Sequence, residues 1–188
     1  MTITIRPANA PDAAAIARLR IESWRATYRG LVPDAYLAQM DEEESVAMWE
    51  RVLTAGPNTA SVFVAESDGE VIGFAAANML REPRFDLDAE LSAVYVRGAF
   101  QRMRVGRRLV REIARAQRAH GAHGLIAWVI AGNKIGRGFF ERLDGELLVE
   151  QPFQWDGMDL IEAAYGFRDI DALVEACGTP PTVPSTLH

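Results

Sequence analysis

Cysteine, histidine and long apolar segments are scarce in this sequence. Its 188 residues include one cysteine, Cys177, and three histidines, of which His120 and His123 lie beside glycines in the run HGAHG. One cysteine cannot form a disulfide within the chain, and two neighbouring histidines are too few to hold a metal ion, so we expect an inert thiol and no metal site. No apolar run approaches the length of a membrane span, and the start, MTITIRPANAPD, lacks the features of a signal peptide. The sequence therefore predicts a cytoplasmic protein without a membrane partner.

The charge of the chain is unevenly distributed. The formal net charge is −6, yet residues 97–118 contain eight arginines and one acidic residue, Glu112, which gives this segment +7 and leaves −13 for the remainder. A strong local positive field in an acidic protein indicates a local anionic ligand, whereas the overall acidity argues against a nucleic-acid partner. The alternative is a solvated helix face that its arginines keep soluble, and we prefer that alternative for the distal arginines.

Hydrophobic periodicity predicts strands and helices over most of the chain. Apolar stretches predict strands at residues 2–6, 61–66, 71–80, 89–96, 125–130, 145–153 and 158–168. Helical spacing and capping signals predict helices from Pro11, from Pro33 to about Met40, after the acidic run DEEES, at 105–119 and from Asn133 to about Leu143. Residues 81–87 are predicted to be a loop, because Pro83 cannot pair regularly. We therefore predict one α/β (α+β) domain at 1–175, with a mixed central sheet and helices on both faces, and a C-terminal tail at 176–188.

The arginine-rich segment follows a strand through a tight turn. The strand AELSAVYV leads into RGAFQRMRVGRRL and then into the helix at 105–119. Free N–H groups and a partial positive charge make a helix start of this kind an anion site. Gly106 would let a phosphate approach the backbone, and Arg102, Arg107 and Arg108 would add positive charge. The alternative is an ordinary helix start, so the turn alone favours phosphate binding only weakly.

Several motifs together resemble the GCN5-related N-acetyltransferases, the GNAT superfamily. Gln101 and Gly106 after the strand match the coenzyme-A-binding motif of that family. Asn133 followed by FFERL resembles its next conserved helix, AAYGFRDI resembles the last strand of one large bacterial subgroup, and Trp24 with YRGLVP resembles the front end of that subgroup. The likeness covers residues 3–173.

This resemblance implies a fold, a co-substrate and a set of contacts. It implies a mostly antiparallel sheet of about seven strands and acetyl-coenzyme A as the co-substrate. The backbone of Val94 and Val96 would pair with the pantetheine arm, and Asn133 and Phe140 would border that arm. The diphosphate would lie at the Gln101 motif, held by the amides of Arg102, Met103, Arg104, Val105, Gly106 and Arg107. An amine would then attack the thioester directly in a ternary complex.

Two residues depart from the family pattern. Arg104 occupies the position of the first glycine, so the turn is strained if that position needs a positive φ. Phe140 stands where many relatives have a tyrosine that protonates the departing thiolate, and phenylalanine has no proton to donate. These departures keep open an alternative function, a weakly active or non-catalytic acyl-coenzyme A sensor.

The acceptor side of the predicted site rests on three residues. Glu90 lies on the strand that carries the acetyl group in relatives, many of which use a glutamate near this position as the general base. Its alternative role is a solvated or salt-bridged strand residue. Trp24 and Tyr28 are predicted to contact the acceptor, although aromatic residues at these spacings are more often core. The acceptor would be the amine of a small molecule or peptide, and the oligomeric state stays open, with a homodimer as one alternative.

Overall fold

The computed structural model describes residues 2–56 and 60–178, which form a seven-stranded sheet flanked by six α-helices. The strands are β1 (Ile3–Pro7), β2 (Ser61–Ser67), β3 (Glu70–Arg84), β4 (Leu87–Val96), β5 (Leu125–Ile130), β6 (Glu146–Trp155) and β7 (Met158–Phe167). The helices are α1 (Ala13–Thr27), α2 (Asp34–Gln39), α3 (Glu42–Thr54), α4 (Val105–Ala119), α5 (Lys134–Glu141) and α6 (Ile170–Gly178). None of these helices is long and apolar enough to cross a membrane.

The sheet has the order β1-β2-β3-β4-β5-β7-β6. Only β4 and β5 pair in parallel, and every other neighbouring pair is antiparallel. The predicted α/β class with a mixed, mostly antiparallel sheet of about seven strands is therefore confirmed.

Helices cover both faces of the sheet, as the sequence predicts. On one face α4 and α6 pack against the strands, with Leu109, Ile113 and Tyr165 fully buried between them. On the other face α1 and α3 enclose a second core around Ile16 and Phe74. The predicted inward face of α4 is confirmed, because apolar side chains at helical spacing reach the core while most arginines stay outside.

Residues 81–87 form a hairpin rather than the predicted loop. Only Phe85 and Asp86 connect β3 to β4, and both have a positive φ, 53° and 61°, as a tight two-residue hairpin turn requires. The register is irregular on the β3 side near Pro83, so the proline does interrupt the ladder. It lies on an exposed extension of the hairpin, where a missing N–H leaves no buried partner unsatisfied.

β4 and β5 begin as paired strands and then diverge. Their pairing ends at Leu91 and Ala127, after three residue pairs. Ser92 is an extra residue on β4 at this point, because the residues on either side of it pair with consecutive residues of β3. Such a bulge bends a strand and increases its twist, which turns the rest of β4 away from β5. We call the opening between the second halves of β4 and β5 the fork.

The last helix extends past residue 175, and the domain boundary predicted there stays a prediction. Helix α6 continues to Gly178 and buries Cys177 in the core. Burial raises the pKa of the Cys177 thiol to about 11, which keeps it protonated at neutral pH. Residues 179–188 of the predicted tail lie outside the described residues.

Candidate active site

The fork opens into a cleft of about 1010 Å³. Its walls are the end of α1, the second half of β4, the turn before α4, the first residues of α4, the end of β5 and helix α5. The cleft brings together most of the site residues predicted from the sequence: Tyr28, Val94, Val96, Gln101, Arg102, Arg104, Val105, Gly106, Arg107, Asn133 and Phe140. Its size lies at the upper end of typical ligand sites, so it can hold a large co-substrate.

The backbone of β4 presents hydrogen-bonding groups to the fork. The N–H of Arg97 donates to the carbonyl of Ile72 at 2.8 Å, so the odd-numbered residues at this end of β4 pair with β3. In an antiparallel ladder the intervening residues point their N–H and C=O groups the other way. Val94 and Val96 therefore direct theirs toward the open edge, as the resemblance implies. The side-chain Nε2 of Gln101 donates to the carbonyl of Val96 at 3.2 Å and ties the end of this edge to the next turn.

The turn between Gln101 and Arg104 takes an unusual backbone path. Arg102 and Arg104 both have φ of 64°, and Arg104 is the left-handed residue immediately before α4. A left-handed residue followed by a helical one aims successive N–H groups at a common point, which makes a concave anion site. Here that concavity coincides with the N-terminus of a 15-residue helix. The positive φ at Arg104 is the strained arrangement expected where an arginine occupies a glycine position of the family.

Packing gives Gly106 a reason to be small that the sequence did not reveal, whereas the predicted approach of a phosphate to its backbone stays a prediction. A Cβ at this position would lie 3.1 Å from the ring of Phe139, which is closer than ordinary contact. The side chain that fills the space over Gly106 is therefore Phe139 of α5. Its ring brings α5 against the start of α4 and closes one wall of the cleft.

The arginine side chains of α4 divide into two groups. Arg107 donates to the carbonyls of Ala176 and Arg142 at 3.1 and 2.8 Å, and Arg108 donates to the carbonyl of Ile3 at 2.9 Å. Both guanidinium groups are thus held by backbone carbonyls, and the prediction that they add charge at a diphosphate stays a prediction. Arg102, exposed at the cleft, keeps the predicted position.

The start of α5 forms the wall opposite β4. The Oδ1 atom of Asn133 accepts from the N–H of Gly136 at 2.9 Å, which confirms the predicted helix cap. Its Nδ2 atom donates to the hydroxyl of Tyr28 at 3.3 Å. Tyr28 is 7% exposed, and burial raises its pKa to about 12. This hydrogen bond joins the end of α1 to α5 across the cleft.

Phe140 lies in an aromatic environment without a polar role. It is buried, and its ring lies 5.5 to 6.3 Å from the rings of Phe139, Tyr165 and Phe167. The hydroxyl of Tyr165 donates to Glu141 at 2.8 Å and accepts from Arg137 at 3.0 Å, so it is engaged away from the cleft. Its complete burial gives Tyr165 a role in core packing.

Glu90 lies on β4 just before the fork. Leu91 faces the α4 side, so alternation along the strand puts Glu90 on the opposite face, the side that α1 covers farther along β4. It is half-buried, and it is not among the residues that line the cleft. Burial raises the pKa of Glu90, the charge of Arg84 opposes this effect, and the nearby carboxylate of Glu162 adds to it.

Two other predicted residues lie outside the cleft wall. Trp24 is buried in an aromatic cluster, with its ring 4.5 Å from that of Tyr28, and its indole N–H donates to the hydroxyl of Tyr95 at 2.8 Å. Met103 is 43% exposed in the turn. Trp24 thus packs behind the residues that line the cleft. Met103 would contribute only its backbone N–H group to the predicted diphosphate site.

Sequence reasoning missed two residues that shape the site. Ser92 creates the bulge at the fork, and its hydroxyl donates to the carbonyl of Ala76 at 3.1 Å. Phe139 fills the space above Gly106. A bulge does not alter the apolar pattern by which a strand is predicted from sequence. The contact between Gly106 and the ring of Phe139 depends on how α4 and α5 pack, which the sequence does not show.

The chain is similar in sequence to acetyltransferases. The model of the acetyltransferase (GNAT) family matches residues 17–145. The uncharacterised N-acetyltransferase YuaI of Bacillus subtilis (strain 168) is 32% identical over 172 residues, which cover 91% of this chain and 96% of the relative.

Solved structures share the fold. The PaiA N-acetyltransferase of Thermoplasma acidophilum, solved in complex with coenzyme A, has a TM-score of 0.65 and 21% identity, with 87% of this chain and 98% of the other covered. The ribosomal-protein-alanine N-acetyltransferase of Brucella melitensis has a TM-score of 0.64 and 23% identity, with 87% and 98% covered. At these identities the likeness concerns the arrangement of strands and helices.

Proposed function

The chain belongs to the acetyltransferase (GNAT) family, and on that basis we propose that it transfers the acetyl group of acetyl-coenzyme A to an amine of a small molecule or peptide. The observation that carries this proposal is the continuity of the fork with the concave turn before α4. An extended arm can pair with the open edge of β4 while a diphosphate at its end reaches the N–H groups of residues 102–107.

The residues of the cleft fit such a co-substrate chemically. Val94 and Val96 offer backbone donors and acceptors to the amide groups of a pantetheine arm. The left-handed Arg104 and the start of α4 offer N–H groups to phosphate oxygens, with Arg102 close by. Asn133 and Phe140 border the arm on the side of α5.

In the proposed reaction the amine attacks the thioester without an acyl-enzyme. The nitrogen lone pair forms a bond to the carbonyl carbon, the bond between carbon and sulfur breaks with its electron pair on sulfur, and the amine loses one proton. Glu90 is proposed to receive that proton, directly or through water, because burial makes its carboxylate a stronger base than an exposed one. The sulfur gains a proton and leaves as the free thiol.

Binding of the co-substrate is tested by thermal unfolding. Acetyl-coenzyme A is expected to raise Tm, since a ligand at about 100 times its Kd stabilises the native state by about 2.7 kcal/mol. Arg102→Glu should weaken this binding about tenfold or more, because it puts a negative charge beside the diphosphate. Arg115→Glu, on an exposed part of α4 outside the cleft, is the matched control. A co-substrate at millimolar concentration that leaves Tm unchanged would refute the binding proposal.

The role of Glu90 is tested by the pH dependence of turnover. A base acts in its ionised form, so turnover is expected to rise as pH increases through the pKa of Glu90. Glu90→Gln should lower turnover about a hundredfold or more, remove this acid limb and leave co-substrate binding intact. Glu162→Gln should move the limb to lower pH, since it removes a charge that raises the pKa of Glu90. An unchanged acid limb in Glu90→Gln would exclude Glu90 as the base.

The second candidate function is an acyl-coenzyme A sensor with little or no transfer activity. The observation that favours it is the burial of Phe140 among aromatic rings, which leaves that position without a proton donor. Release of free thiol from acetyl-coenzyme A with a panel of amines separates the two functions. Binding without amine-dependent release would identify the sensor.

A further inference from the structure

The proposed reaction needs a hydrogen-bond donor near the departing sulfur, and Phe140 does not supply one. A thiolate leaves more readily when a donor stabilises its negative charge. The residues that line the cleft include five hydroxyl groups, those of Ser23, Thr27, Tyr28, Ser92 and Tyr95. The hydroxyl of Ser92 already donates to a backbone carbonyl at 3.1 Å. The two phenols of the cleft remain as the strongest donors.

Tyr28 is the phenol that the structure connects to α5. It follows the last turn of α1, and its hydroxyl lies 3.3 Å from Nδ2 of Asn133, at the start of the helix that carries Phe140. Tyr95, by contrast, has its hydroxyl 2.8 Å from the indole nitrogen of Trp24, in the aromatic cluster behind the cleft wall. The hydroxyl of Tyr28 therefore lies between the two walls of the cleft, whereas the hydroxyl of Tyr95 lies against α1.

The proton of the Tyr28 hydroxyl is available to a ligand. Asn133 is the donor in the bond between them, because an amide nitrogen has no acceptor site, so the phenol uses a lone pair there and keeps its proton. Within residues 2–56 and 60–178, no acceptor for that proton is recorded. A bond from Asn133 also polarises the phenol, which strengthens the hydrogen bond that it can donate.

We propose that Tyr28 donates a hydrogen bond to the coenzyme sulfur as it departs, in the role that Phe140 cannot fill. As the bond between carbon and sulfur breaks, its electron pair stays on sulfur and the hydroxyl of Tyr28 stabilises the thiolate. A buried phenol is a weaker acid than a thiol, so the bond is donated without complete proton transfer, and solvent supplies the proton that converts the thiolate to the thiol. This inference rests on the proposed acetyl transfer and names the group that stabilises the departing sulfur in that reaction.

The decisive measurement is the ionisation of the coenzyme thiol bound to the protein, followed by the ultraviolet absorbance of the thiolate. In the wild type the thiol pKa is expected to lie below that of free coenzyme A. Tyr28→Phe should raise it by about one unit or more, since a hydrogen bond to a charged group changes the ionisation constant about tenfold. Tyr36→Phe is the matched control, because Tyr36 belongs to the same aromatic cluster but does not line the cleft.

Turnover provides the second readout. Tyr28→Phe should lower turnover about tenfold, with KM for the co-substrate little changed, because the bond forms only as the sulfur leaves. Adding Phe140→Tyr to that variant is expected to restore part of the loss by placing a phenol on α5.

The outcomes separate this inference from the proposed function. Coenzyme that binds to Tyr28→Phe with an unchanged thiol pKa would overturn the role of Tyr28 while leaving acetyl transfer in place. The same holds if Tyr95→Phe, rather than Tyr28→Phe, raises the thiol pKa. Failure of the wild type to bind coenzyme A at all would instead refute the proposed function.

Discussion

Arg104 is held at φ of 64°, where the Cβ of any residue other than glycine crowds the neighbouring backbone. This strain lies at the junction between the turn and α4, so it is stored where the N–H groups of the proposed diphosphate site converge. The sequence shows that an arginine replaces the family glycine, but it does not show which φ the turn needs. The structure shows that the position keeps the left-handed conformation for which glycine is best suited.

We predict that Arg104→Gly stabilises the protein. Relief of a left-handed conformation is worth about 1–2 kcal/mol and the greater freedom of glycine in the unfolded chain offsets about 0.5–1 kcal/mol, so the free energy of unfolding should rise by up to about 1.5 kcal/mol. Unfolding by denaturant measures this change.

Arg115→Gly is the matched control for Arg104→Gly. It removes an arginine from the interior of the same helix at an exposed, right-handed position, and it should lower the free energy of unfolding by about 1 kcal/mol. If both variants were destabilised equally, the contacts of the Arg104 side chain would outweigh its backbone strain.

Residue identities predicted part of the site. The cap formed by Asn133 follows from a short-range pattern, and the structure confirms it. The backbone roles of Val94 and Val96 are implied by the family resemblance and stay a prediction. The carbonyl partners of Arg107 and Arg108 were not foreseen, because a sequence does not show which distant carbonyls a long side chain can reach. The bond between Tyr28 and Asn133 spans 105 positions and depends on the whole sheet, so no local pattern reveals it.

Helix α6 is held to the domain by α4. Arg107 reaches the carbonyl of Ala176, and the apolar face of α6 buries Leu173 and Cys177 against the core. This contact lies beside the start of α4. The side chain of Arg107 therefore holds α6, while its backbone N–H group belongs to the proposed diphosphate site.

We predict that Arg107→Ala loosens α6. Loss of the bonds to Ala176 and Arg142 should increase labelling of Cys177 by a thiol reagent several-fold, because a buried thiol reacts only when its helix opens. Arg108→Ala, which removes a bond to β1 instead, serves as the control. The helix would be independent of Arg107 if both variants were labelled at the wild-type rate. Cys177 is the only cysteine in the sequence, so the label reports a single place.

The hairpin at 81–87 contains a tight turn that the sequence pattern did not predict. Pro83 correctly predicted a break in the ladder, but the two strands continue beyond the break because Phe85 and Asp86 adopt the positive φ of a tight turn. A positive φ is uncommon for phenylalanine, so the sequence does not reveal the tight turn beyond Pro83. The strand and helix order elsewhere followed from periodicity.

For the molecule as a whole, charge is segregated between one segment and the rest. Residues 97–118 carry +7 inside a chain of −6. Although two of its arginines are bonded to carbonyls, their charge still contributes to the field around the start of α4. An anionic ligand is therefore attracted to the cleft from a distance at low ionic strength.

We predict that association of coenzyme A slows as salt increases. Raising the ionic strength from about 0.01 to 0.15 M shortens the screening length from about 30 to 8 Å, so the association rate should fall several-fold in stopped-flow measurements. Pantetheine, which lacks the phosphates, is the matched ligand and should bind at a rate that salt hardly changes. Equal salt dependence for both ligands would show that the arginine segment does not steer binding.

The fork also changes how many edges the sheet has. A seven-stranded open sheet ordinarily ends in two edge strands, but beyond Leu91 and Ala127 this one has two further edges that face each other inside the molecule. An inner edge of this kind accepts any extended molecule whose donors and acceptors alternate at the spacing of a strand. A short peptide has the same repeat, so strand-like peptidomimetics are a natural starting point for competitive inhibitors of this protein.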